Sequence, residues 1–95
     1  MKLQFLEIAA QEMEQSSVFY EKQKKGLGTD FLARLADALR QCEEFPESGT
    51  LVAPNVRRML VSRFPFGVYY RIQDEEIIIV AVGHLRRKSG FWRKR

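Results

Sequence analysis

The sequence predicts a two-layer α+β domain in the order β-α-α-β-β-β, with a helix hairpin packed on a small, mostly antiparallel sheet. Three observations carry this. An apolar stripe at helical spacing runs through residues 30–44. Three β-type runs follow residue 55, joined by links too short for a parallel crossover. The second half also contains six consecutive apolar residues, Ile77 to Val82, which marks a strand buried on both faces and therefore central. At 95 residues the chain is one domain, residues 1–95, with a single core.

The first strand is residues 2–6 (KLQFL), where Leu3 and Phe5 share one parity. From Ala9 to about Lys24 the chain is rich in helix formers and has neither Pro nor Gly. Ala9, Met13, Ser16 and Tyr20 fall on one helical face, Phe19 widens it, and Glu12, Glu14, Glu21 and Lys22 fall largely elsewhere. Gly26-Leu27-Gly28 ends this helix, because glycine tolerates the left-handed cap conformation. Thr29 or Asp30 then caps the next one.

The second helix runs from about Asp30 to Glu44, with Phe31, Leu35, Leu39 and Cys42 as its stripe. Phe45-Pro46 stops it, since the residue before a proline is pushed out of the α region. The tight Gly-containing link makes the two helices an antiparallel hairpin. Residues 46–55 (PESGTLVAPN) read as a loop. Strands follow at Val56 to Arg63, Gly67 to Gln73 and Ile77 to Gly83, with a turn at Asp74-Glu75. Tyr69 and Tyr70 point to opposite faces, so at least one is core.

Composition excludes several functions. A lone Cys42 permits no internal disulfide, and Cys42 with the lone His84 cannot make a zinc site, so no metal or cofactor is expected. No Gly-rich phosphate loop, GxSxG elbow or HExxH pattern occurs. No apolar run reaches membrane-spanning length, and MKLQFLEIAAQE is broken by acids in a way unlike a signal peptide, so a cytoplasmic protein with no membrane partner is expected.

Charge is unevenly distributed. Residues 1–50 hold six Lys/Arg and nine Asp/Glu; residues 51–95 hold ten Lys/Arg and three Asp/Glu. Such asymmetry suits a nucleic-acid or acidic-protein partner. Arg57, Arg58, Arg63 and Arg71 lie on or beside the strands; His84, Arg86, Arg87 and Lys88 follow the last one; Tyr69, Tyr70, Phe91 and Trp92 are interleaved. Cations hold phosphates, aromatics stack bases, and a histidine exchanges protons near neutral pH, which are the parts RNA cleavage at a 2′-OH needs. Each also has a plainer reading. Arg57 and Arg58 fit surface strand positions, His84 fits a hydrogen-bonded strand end, and Phe91 and Trp92 fit a tail pinned back onto the sheet.

The order of motifs carries a family resemblance. Gly26 to Leu32 (GLGTDFL) opens a helix that ends in EFPESG, Glu44 to Gly49. Then come VRR at Val56 to Arg58, RFPFGVYYR at Arg63 to Arg71, VGHLRR at Val82 to Arg87, and the closing Phe91-Trp92. This pattern, spanning nearly the whole chain, resembles the RelE/ParE superfamily of type II toxin–antitoxin toxins in its plasmid-stabilisation branch. The resemblance implies the β-α-α-β-β-β fold and a growth-inhibiting toxin. Two mechanisms occur in the superfamily. ParE-like toxins inhibit DNA gyrase; RelE-like toxins enter the ribosome and cut mRNA without a metal.

Carried over by position, the RelE-like basic set falls on Arg57 or Arg58, Arg71, and His84 or Arg86. A nuclease would use His84 and Arg71 as catalytic residues, and target or RNA binding would fall to Arg57, Arg58, Arg86, Arg87, Lys88 and Trp92. Arginines stand where RelE-like members carry lysines on the second strand, and the nearest carboxylate to offer His84 is Glu47, in a loop. The gyrase mechanism is therefore favoured, with the ribosome-dependent endoribonuclease as the alternative. The resemblance also implies a cognate antitoxin, expected to carry an acidic, amphipathic segment that wraps the helix hairpin and covers Arg57, Arg71 or Arg86 to Lys88. Operator DNA would be reached only through that antitoxin.

Overall fold

A computed structural model describes residues 1–95. The elements are β1 (Lys2–Phe5), α1 (Glu7–Gln23), α2 (Leu27–Glu44), β2 (Thr50–Ala53), β3 (Val56–Leu60), β4 (Phe66–Gln73) and β5 (Glu76–His84). They form one five-stranded sheet in the order β1-β5-β4-β3-β2. All neighbours are antiparallel except β1 and β5, which pair in parallel. The apolar run of β5 thus lies between two strands, as its composition requires.

One strand more is present than the sequence pattern predicts. Thr50–Ala53 falls in the segment read as a loop and pairs with β3, Thr50 opposite Arg58 and Leu51 opposite Arg57. An edge strand is hydrogen-bonded on one side and need not bury a face, so it leaves little apolar signature. Leu51 is exposed accordingly, and Pro54 follows the last residue of β2, where no ladder donor is lost.

The helix hairpin covers one face of the sheet. Phe31, Leu35, Ala38 and Cys42 of α2 are buried against Met59, Val68, Tyr70, Ile77, Ile79 and Val82, with Ala9 of α1. Phe19, expected to widen the α1 stripe, is exposed. Between the helices, Gly26 takes φ 89° and is the N-cap of α2, which starts at Leu27, three residues ahead of the expected Asp30 start. Thr29 and Asp30 lie inside the first turn and cap nothing with their side chains. The cap comes from α1 instead: the Glu21 carboxylate accepts the N–H groups of Gly26 and Gly28, both at 2.9 Å. These backbone bonds hold the Glu21 carboxyl below its ordinary pKa. A side chain at Gly28 would sit 2.4 Å from the Ser17 carbonyl oxygen, so glycine is what lets the helices meet there.

Both tyrosines of β4 are buried, on opposite faces. Tyr70 points to the helices; its hydroxyl donates to the Pro46 carbonyl at 2.7 Å and accepts the Gly49 N–H at 3.1 Å, anchoring the loop after α2. Burial raises the Tyr70 pKa. Tyr69 points to the other face. The β4–β5 register slips between them, Tyr69 facing Ala81 and Tyr70 facing Ile79, so Val80 is an extra residue and a bulge. Val80 and Ala81 consequently both join a second apolar cluster with Val56, Tyr69 and Trp92. The carboxy-terminal tail, residues 85–95, folds back over this cluster.

Candidate target-binding surface

The tail is held from two sides. On the back of the sheet the Trp92 ring stacks on Tyr69 at 4.6 Å between centroids, and Phe91 stands edge-on to both. A side chain at Gly83 would sit 2.7 Å from Phe91, so this glycine makes room for the ring. Trp92 is 6% exposed, so its ring serves the fold and is not presented to a target. At the edge of the sheet, β1 ends at Phe5 opposite Ile79, and β5 continues beyond it. Side chains complete the ladder there: the Glu12 carboxylate accepts the Val82 N–H at 3.1 Å, and Arg95 Nη1 donates to the Val80 carbonyl at 3.2 Å.

Glu12 also binds both ends of the tail. Its oxygens accept from Arg95 at 2.6 and 3.0 Å and from Arg87 at 2.6 Å. Burial pushes this carboxyl up, but the bonds from Arg95, Arg87 and Val82 together outweigh it, and the pKa lies below 4.5. Arg87 lies over the Phe91 ring, 3.8 Å from its centroid. Spacing alone puts Glu12 off the apolar face of α1; in the fold it faces β5.

The remaining cations are dispersed. Arg57, in register with Tyr70 on the helix face, donates from Nη1 to the carbonyls of Glu47 and Gly49, so it is bound into the fold. Arg58 and Arg71 lie on the back face, in the parity of Tyr69. Arg86 and Lys88 are exposed in the segment after β5.

His84 stands apart from them. It pairs with Phe66 in the ladder and meets that ring edge-on at 5.5 Å, on the helix side of the sheet. Its Nδ1 accepts the Arg86 N–H at 3.0 Å, which places the proton of the neutral ring on Nε2. Arg71 faces Ile78, five residues along β4 from Phe66 and on the opposite face, about 17 Å away by strand rise alone. Glu47 does not reach His84 either: its carbonyl is bonded to Arg57, beside Tyr70 and away from Phe66. The carboxylate that lines the groove beside His84 is Glu12, already engaged by two arginines. Burial pushes the Cys42 thiol up to about 12, which removes the one sulfur nucleophile.

The model of the ParE toxin of type II toxin–antitoxin systems (parDE) matches residues 3–89, most of the chain. The chain belongs to the ParE toxin family. A search of curated protein sequences returns no match. Among solved structures, the toxin is similar to a chain described as the chromosomal ParDE TA system from P. aeruginosa. That likeness has a TM-score of 0.75 and 19% identity, and covers 88% of this chain and 95% of the other. At that identity it attests the fold. In this ParE-family toxin no helix is long and apolar enough to cross a membrane.

Proposed function

We propose that this toxin arrests growth by binding a protein target, DNA gyrase, without cutting RNA. One observation carries the reading: the lone histidine is separated from Arg71 by the thickness of the sheet and most of its length, and the carboxylate that shares its groove, Glu12, is locked between Arg87 and Arg95. A nuclease needs a base, charge-stabilising cations and an acid around one phosphate. We also propose that a cognate acidic antitoxin silences the toxin over the helix hairpin. Val18 and Leu32 line one shallow hairpin groove and stand exposed, as does Phe19, which suits the apolar side of an amphipathic segment.

The test sets gyrase supercoiling and cleavage assays beside a translation reaction with mapped mRNA ends. Inhibition is expected in the first and intact mRNA in the second. His84→Gln is expected to stay folded and toxic. If the folded variant instead loses toxicity, and the parent chain cuts mRNA where the variant does not, the gyrase reading falls and the nuclease takes its place. Co-expression of the protein encoded in the adjacent reading frame is expected to restore growth.

A further inference from the structure

A cleft of about 380 Å³ opens on the back of the sheet, between the β2–β3 turn and the docked tail. Asn55, Val56, Arg71, Trp92, Arg93 and Arg95 line it, and no carboxylate does. Arg95 is engaged by Glu12. Arg71 donates from Nε to the side-chain oxygen of Gln73 at 3.1 Å and has no acidic partner; Arg93 has none either. On the same face, Arg58 lays its stem against Gly67, and its Nε is buried without a hydrogen-bond partner. Arg58 and Arg71 flank Tyr69, about 8 Å apart between Cα positions by sheet spacings; the Arg58 stem runs toward Gly67, so its head lies outside the cleft on the far side of Tyr69 from Arg71. Three guanidinium groups therefore share one face without a salt bridge; the one carboxylate on that face near them, Glu76 opposite Gln73, accepts from Gln4 instead.

We propose that Arg58, Arg71 and Arg93 form a binding site for the phosphate backbone of duplex DNA. A guanidinium fork matches a phosphate's oxygens. Duplex is the form that fits, because the aromatic groups here are already used. Tyr69, Phe91 and Trp92 pack on one another, and unpaired bases need free ring faces to stack on. Contacts confined to phosphates hold a duplex without reading its sequence. The inference rests on the gyrase reading in one respect: gyrase works on duplex DNA, which brings these phosphates to the toxin.

The experiment is fluorescence anisotropy of the free full chain with a random-sequence 20-base-pair duplex over a salt series. Three phosphate contacts predict a slope of log K against log salt of about −3. Arg71→Gln and Arg93→Gln are each expected to reduce it by about one. Arg40→Gln, on α2 and paired with Asp37, is the charge control and is expected to leave the slope unchanged. Unchanged slopes in both cleft variants overturn the proposal, whatever Arg58→Gln does to folding. So does stronger competition by a single-stranded RNA or an acidic peptide of equal length. The assay contains no gyrase. Duplex binding without gyrase inhibition refutes the target and leaves the site; gyrase inhibition without duplex binding refutes the site alone.

Discussion

Leu35→Ala is expected to lower the unfolding free energy by about 2–5 kcal/mol, a large share of a small domain's stability. Leu35 is 1% exposed in the middle of α2, inside the cluster built by Phe31, Cys42 and the inner face of β3 to β5. Truncation removes its contacts and leaves a cavity that two helices and a sheet cannot close. Leu39, one turn later in the same stripe, is half-buried and packs on the rim of that cluster. Its truncation is expected to cost distinctly less, because the rim can relax and admit water. Equilibrium denaturation by guanidinium, read by far-UV circular dichroism, measures both. A change below about half a kcal/mol at Leu35 would place the stripe against solvent and contradict the helix-on-sheet packing.

The second large effect belongs to Glu12. Glu12→Gln is expected to destabilise by about 1–3 kcal/mol at neutral pH, the range for hydrogen bonds to a charged group, lowered by the partial exposure of the pair. Arg95 has a side chain only 12% exposed, so losing the carboxylate leaves its charge poorly compensated. The variant should also loosen the tail, which Trp92 fluorescence reports. The pH dependence has a definite sign. The folded carboxyl titrates below 4.5, its unfolded value, so its contribution is complete above about pH 4.5 and is lost as pH falls through the folded value. The stability gap between the parent and Glu12→Gln should therefore close in acid. A gap that stays constant from pH 7 to pH 3 would show that Glu12 acts through shape and not through charge.

The arginines show how far sequence patterning reaches. Alternation along β3 places Arg57 and Arg58 on opposite faces, and the fold agrees. Alternation says nothing about what waits on each face. Arg57 meets the carbonyls of the loop after α2, whereas Arg58 lies along Gly67 of the neighbouring strand. The same limit applies to the proposed catalytic pair. His84 and Arg71 are plausible partners by composition, and only the register of β4 on β5 separates them.

Elements governed by neighbours in sequence were legible without coordinates: the α2 stripe, the stop at Phe45-Pro46, the turn at Asp74-Glu75 and the central place of β5. In each, the residues that decide the conformation lie within a few positions of one another, so periodicity and turn chemistry report them directly. The family resemblance was legible for the same reason, as an ordered string of such local signals. Tertiary structure alone decided the rest. β2 exists because β3 offers it a partner. Tyr69 is buried because the tail returns to cover it. Glu12 is a clamp because Val82, Arg87 and Arg95, 70 to 83 residues away, converge on it where β1 ends. A charge on a helix looks solvated until its distant partners are in place, since burial and hydrogen bonding are properties of the assembled chain and not of its spacing.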